Sequence, residues 1–228
     1  SKVKGEYFST EAMLKRNAFP KQEDEKIFDN MVTEKGDSST LAVFHIDGNS
    51  MGKRIIKEMH GIAEYEKAIR TMRAISADIS ETFRKNVDQM KAYMNVLASR
   101  IKKDTSHKLY REIIVAGDDI TFVCNARLAI SAVEYFLKHI GDTGKFSACG
   151  GIAFFNSHFP FSDAYQVAEA CCESAKKRAK KAECRGEEGK IGNFLDFQIC
   201  TNINAANLED YRERYYATRE ESFIARPY

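Results

Sequence analysis

The chain has 228 residues, 43% of them hydrophobic, enough to bury a full core without demanding more than one domain. Its 35 Lys and Arg nearly cancel its 33 Asp and Glu, leaving a formal charge of +2 and no charge-driven case for duplex DNA or a membrane surface. The six cysteines form no CxxC pair, no apolar stretch approaches the ~20 residues of a membrane span, and the opening SKVKGEYFST has no signal-peptide core, so the expectation is a cytoplasmic protein with reduced thiols.

Residues 1–40 are polar with scattered apolar points, and one helix is expected near 21–34. LAVFHI (41–46) is a short apolar run bounded by GDSS and DGNSMG, the pattern of a buried strand ending at Asp47. From Met51 to Ile101 there are two glycines, Gly52 and Gly61, and no proline. Apolar residues then recur in steps of three and four from Met72 to Ile101, predicting a short helix followed by one long amphipathic helix or a helical hairpin. REIIV and ITFVC flank AGDD and read as a hairpin with Asp118 and Asp119 at its tip. A helix over 126–140, a strand over 146–155, a helix capped near Ser162 and Asp163, a strand over 193–200 and a terminal helix from Leu208 complete the pattern.

This order predicts an α+β fold, a ferredoxin-like palm whose mainly antiparallel sheet is covered by helices. The expected division is an N-terminal segment 1–40, a palm 41–200 with its helical segment at 50–103, and a C-terminal helix and tail 201–228.

Joining nucleotides requires a hydroxyl delivered in line to an α-phosphate, and two metal ions can activate the attacker and stabilise the leaving pyrophosphate. Magnesium takes a few carboxylates together with phosphate oxygens and water. If the strand ending at Asp47 neighbours the hairpin, Asp47, Asp118 and Asp119 converge at one sheet edge, with Gly48 beside them in the metal-binding set. Gly-Asp-Asp alone is an ordinary turn sequence. The combination says more, because each acidic element interrupts strongly apolar runs, where like charges repel unless a cation sits between them.

The bend Gly48, Asn49, Ser50, Met51 offers backbone N–H groups to phosphates, although Asn49 or Ser50 also suits a plain helix cap. Gly117 belongs to the same nucleotide-binding set. In the later helix Lys176, Lys177, Arg178, Lys180 and Lys181 cluster, mostly as a solvated face with Glu173 paired to Lys177. Lys176 and Lys180 are the two expected to reach a phosphate.

LAVFHIDGNSMGKRI, EIIVAGDDITFV, FSACGGIAFF, AEACCESAKKRAKK and LDFQIC with LEDYRERYY stand in the order found in the palm of the large subunit of type III CRISPR complexes, with AGDD where that family has GGDD. The chain resembles that palm over residues 40–216, and resembles more closely the minimal CRISPR polymerase, a standalone palm. No HD pair or zinc motif of the large subunit is recognisable in this sequence. The resemblance implies metal-binding roles for Asp47 and Asp118, a supporting acidic role for Asp119 and a triphosphate contact for Lys176.

It also implies a cytoplasmic nucleotidyltransferase that uses two Mg²⁺ (or Mn²⁺) ions to join ATP or mixed triphosphates into a cyclic di- or oligonucleotide for antiviral defence, read by a downstream effector. GGDEF diguanylate cyclases are more distant cousins. Ile55 stands where they carry a guanine-binding asparagine, so ATP is favoured over GTP, since an unpaired base edge costs ~1 to 3 kcal/mol. Because one palm presents one triphosphate, a homodimer is expected. The alternatives are a diguanylate cyclase, a catalytically inactive nucleotide-sensing palm and a purely structural protein. Ala116 in place of the family glycine is expected to cost ~1 kcal/mol if that position needs a positive φ.

Overall fold

The computed structural model describes residues 2–3, 6–7, 9–10, 28, 31, 39–101, 108–181, 184, 191–200, 208–216 and 227–228. Strands β1 (Lys2–Val3) and β2 (Glu6–Tyr7) form a separate antiparallel ribbon. The helix expected over 21–34 lies outside the described residues except at Phe28 and Met31, which are helical. The run 176–190 beyond the end of its helix lies largely outside them too.

The main elements are β3 (Thr40–Gly48), α1 (Met51–Met59), α2 (Tyr65–Ile101), β4 (Tyr110–Ala116), β5 (Asp119–Asn125), α3 (Ala126–Asp142), β6 (Ala148–Asn156), α4 (Phe161–Ala179), β7 (Phe194–Ile199) and α5 (Leu208–Tyr216). The five-stranded sheet runs β4-β5-β3-β6-β7, antiparallel throughout except for the β6–β7 pair. This is the mainly antiparallel, helix-covered palm that the element order predicts.

Strand β3 is central and covered on both faces, which explains its apolar run, interrupted only by His45. Ala42, Phe44 and Ile46 join Ile120, Phe122 and Ile152 beneath α2 and α3, while Leu41 and Val43 join Val123, Ala153 and Phe155 beneath α4. Phe44 stacks on Phe122 with ring centroids 5.4 Å apart. Burying each such side chain contributes about 1.5–3 kcal/mol.

Helix α2 is a single 37-residue helix, so the long-helix expectation holds over the hairpin. Gly61, at φ 80, separates it from α1. Its buried stripe, Ile75, Ile79, Phe83, Asn86, Val87, Met90 and Met94, keeps the spacing of one helix face. Short α1 is pinned at the sheet's rim by Arg54, which donates to Lys145 O at 3.3 Å and lies 4.4 Å above the Phe146 ring.

Helix α4 begins earlier than its expected caps. Pro160 occupies the cap position, and Ser162 and Asp163 fall within the first turn, Ser162 Oγ donating to Asp163 Oδ1. Proline suits a helix start because its missing N–H would lack an intrahelical acceptor there. Helix α5 is fastened by Arg212, which is buried and donates to both oxygens of the fully buried Asp196 at 2.7 and 3.1 Å. Both charges are paired and hydrogen-bonded, the condition for tolerating them in a core.

The described cysteines are all free, and among the described residues no helix is long and apolar enough to cross a membrane.

Candidate functional site

The β4–β5 hairpin turns on two residues, because Ala116 pairs with Asp119 and leaves Gly117 and Asp118 between them. Gly117 has φ 65, whereas Asp118 has no positive φ. A positive φ at the first central residue alone is what a type II′ turn requires, and glycine supplies it without a steric penalty. Ala116 lies in regular strand geometry, so its anticipated strain is absent: the position that needs glycine is the one that has it.

The turn brings Asp118 back over the end of β3. A Cβ added to Gly48 would stand 2.8 Å from Asp118 Oδ2 and 2.9 Å from Asp118 Cβ, so the bare backbone of Gly48 makes room for this carboxyl. Asp118 lies within hydrogen-bond reach of Asp47. Burial pushes its carboxyl above the ordinary aspartate range, and the Asp47 charge and hydrogen bond push further, against opposition from its own backbone hydrogen bond and from Lys176.

Asp47 is the penultimate residue of β3, opposite Cys149 of β6, and faces α4. Lys176, with a side chain only 13% exposed, is ion-paired with Asp47 Oδ2. Burial pulls the Lys176 ammonium downward, but the hydrogen bond and charge of Asp47 outweigh this and leave it raised. Glu173 Oε1 stands 3.8 Å from Lys176, while Lys177 reaches across to Glu209 of α5 at 2.6 Å. The expected Glu173–Lys177 pair is thus replaced by two others, since a neighbouring helix offers Lys177 a nearer carboxylate. Lys180 caps the end of α4, exposed and one turn beyond Lys176.

Asp119 behaves differently. It begins β5 one step beyond the last β3–β5 pair, Ile46 and Ile120, and its Oδ1 lies 3.5 Å from Nδ1 of His45. That oxygen is buried yet has no hydrogen-bond partner. His45 Nδ1 instead meets Thr121 Oγ1 at 3.2 Å, and its ring packs edge-on against Tyr165. Among the described residues no three His, Cys, Asp or Glu side chains group closely enough to hold a metal between them. The convergence expected of three carboxylates is a close pair, Asp47 with Asp118, and a third that leans toward His45. His45 is masked in the sequence by the apolar run around it; its place two residues before Asp47, on the same face of the strand, is the signal.

The bend expected to receive phosphates is also partly committed. Gly48 is the last paired residue of β3, and Asn49 N–H donates to Ser147 O at 2.8 Å. The Asn49 side chain donates to Ser147 Oγ and Gly192 O, both at 3.2 Å. Ser50 caps α1 at φ 58 without a side-chain cap bond, a left-handed conformation uncommon for serine. The N–H groups of Ser50, Met51 and the next two residues form the first turn of α1, where helix geometry supplies no acceptor. Ile55 packs against the core under α1 and offers no hydrogen bond to a base.

Two adjacent carboxylates, hard oxygen donors beside a helix start, would suit a magnesium ion that arrives with phosphate oxygens rather than one caged by protein alone. The orphaned Asp119 oxygen beside this pair leaves a buried carboxylate oxygen at the same rim without a hydrogen-bond donor. The residues present fit such an ion.

A protein-family model described as Cas10/Cmr2, second palm domain, matches residues 40–184, more than half of the chain. The chain belongs to this Cas10/Cmr2 second-palm family. The matched span of the Cas10/Cmr2 palm begins with β3 and ends past α4, so Asp47, Asp118 and Lys176 all fall within it. No curated protein matches the chain. Among solved structures, a Csm1–Csm4 cassette in complex with cA4 is similar at 12% identity and a TM-score of 0.50, covering 82% of this chain and 26% of that one. Csm1 of T. onnurineus is similar at 15% identity and a TM-score of 0.42, covering 89% and 27%. An EAL/GGDEF domain protein of M. capsulatus is similar at 15% identity and a TM-score of 0.35, covering 78% and 98%. This Cas10-type palm spans about a quarter of the length of the Csm1 chains, and the likeness to them concerns the fold.

Proposed function

We propose that this palm binds ATP with divalent metal at Asp47 and Asp118 and joins nucleotides into a cyclic oligonucleotide second messenger in CRISPR-related defence. The observation that carries this reading is the Asp47–Asp118 pair at the sheet rim, within reach of Lys176, in a chain of the Cas10/Cmr2 second-palm family. The complex of a family relative with cA4 supports the product class.

Magnesium, when bound, would supply charge neutralisation at the α-phosphate and the departing pyrophosphate. The side chains of this chain orient and neutralise. Asp47 and Asp118 hold the metal, and Asp119 adds negative charge at the same rim. Lys176 receives the triphosphate, helped by the first-turn N–H groups of α1. No side chain needs to be covalently modified. Ile55 gives a base no polar partner, which supports ATP over GTP.

One palm presents one triphosphate, so the partner nucleotide comes from a second palm, for which a second copy of this chain is the simplest source. The product would act through a separate effector that binds it.

Incubation of the protein with each nucleoside triphosphate and Mg²⁺ or Mn²⁺, followed by mass spectrometry, tests the proposal. Pyrophosphate release with a cyclic adenylate product supports it. A cyclic diguanylate product selects the cyclase alternative, and nucleotide binding without pyrophosphate release selects an inactive sensor.

A further inference from the structure

The ammonium of Lys176, the side chain proposed to receive the triphosphate, rests on one of the two carboxylates that would hold the metal. We infer that Lys176 and a divalent cation compete for Asp47, so that nucleotide binding, by drawing Lys176 away, makes Asp47 available to the metal. This inference rests on the function proposed above and concerns the order in which the same site fills.

Lys176 sits on the last turns of α4, which is anchored against β6 by the burial of Ala175 and Ala179 with Cys149 and Cys172. The base of the side chain is therefore fixed, and only its flexible stem can carry the ammonium elsewhere. Its charge is largely shielded from water, so it needs an anion wherever it goes. Asp47 is the anion it now holds, and Glu173, at 3.8 Å and well exposed, is a weaker substitute.

A divalent ion on Asp47 would stand against this ammonium in a half-buried setting, where like charges repel strongly. A triphosphate resolves the conflict, because it offers Lys176 a new partner and brings oxygens to the metal. Metal and nucleotide thus favour each other's binding, and linkage makes the effect reciprocal. Without nucleotide, Lys176 holds Asp47 in place and keeps stray cations off it.

The test is titration of Mn²⁺ into nucleotide-free protein, with free ion read by electron paramagnetic resonance, for the wild type, Lys176→Met, Lys176→Arg and Asp47→Asn. Thermal melting of each variant checks its fold. Lys176→Met removes the charge but keeps the stem, and should bind Mn²⁺ about tenfold more tightly than wild type, within the usual range of coupling between sites. Lys176→Arg should match wild type, and a non-hydrolysable ATP analogue should tighten Mn²⁺ binding by a larger factor in wild type than in Lys176→Met. Equal or weaker Mn²⁺ binding by folded Lys176→Met overturns the competition. If Asp47→Asn binds Mn²⁺ as wild type does, the metal is not at Asp47 and the proposed function itself falls; if Asp47→Asn loses the ion while Lys176→Met leaves it unchanged, the competition alone falls.

Discussion

A Cβ on Gly151 would lie 2.0 Å from the carbonyl oxygen of Ala168, so β6 and α4 meet backbone to backbone. This crossing sets how deeply α4 sits on the sheet, and with it how near Lys176 comes to Asp47. Gly151→Ala should therefore cost ~3 kcal/mol or more, the upper end of the overpacking range, since neither backbone can yield. Gly150→Ala should cost less, because its nearest neighbour is a side chain, Val133 at 2.5 Å, rather than the backbone of a packed helix. Urea denaturation of the two variants checks the order.

Gly48 offers the converse case. Its φ is not positive, so alanine is conformationally acceptable, but the new methyl would collide with the Asp118 carboxyl and the end of Met51. The Met51 end and the carboxyl oxygen can move, but the Asp118 Cβ, 2.9 Å away, moves only with the turn, so Gly48→Ala should lower Tm by ~2–4 °C or more, the scale of at least a 1 kcal/mol change. Nucleotide condensation should fall on the order of 100-fold, as removal of one well-placed stabilising group does. Melting and initial-rate measurements on one preparation separate the two effects.

The two aspartates of the turn are not equivalent. Asp118 stands against Asp47, and Asp119 leans toward His45. Asp118→Asn should lower kcat on the order of 1000-fold, and Asp119→Asn only about tenfold, or ~1.4 kcal/mol of barrier. Equal losses would show that the turn rearranges when substrate binds.

Stability without metal should carry the mark of Asp118. Its native carboxyl is raised above the ordinary value of 3.8 by burial and by Asp47, so between those two values the folded state binds more protons than the unfolded state. The stability it contributes is fully present below 3.8 and is lost as pH rises through the raised native value. Asp118→Asn should flatten that decline, and saturating Mn²⁺ should reverse it. Urea midpoints of the metal-free and Mn²⁺-loaded protein across the acid range measure both effects.

Much of the sheet was legible because its central strand is buried on both faces and its hairpin is punctuated by Gly117. Asp47 and Asp118 stood out for the same reason, as acids ending apolar runs. The length of α2 was open between one helix and two, because a hydrophobic stripe has the same spacing in a straight helix as in either arm of a hairpin. The lean of Asp119 toward His45 depends on how β3 and β5 register, and the Arg212–Asp196 pair on how α5 folds back over β7. Neither relation leaves a trace in local spacing. Gly151 shows the same limit from the other side, since nothing beside it in the chain reveals that α4 passes overhead.

The proposed chemistry requires a divalent ion shared by Asp47 and Asp118. Anomalous diffraction from crystals grown with Mn²⁺ and a non-hydrolysable ATP analogue measures this directly. The expected result is a manganese peak between those two carboxylates, with Lys176 moved from Asp47 to the triphosphate. A bound nucleotide whose manganese lies away from both, with Lys176 still on Asp47, would contradict it.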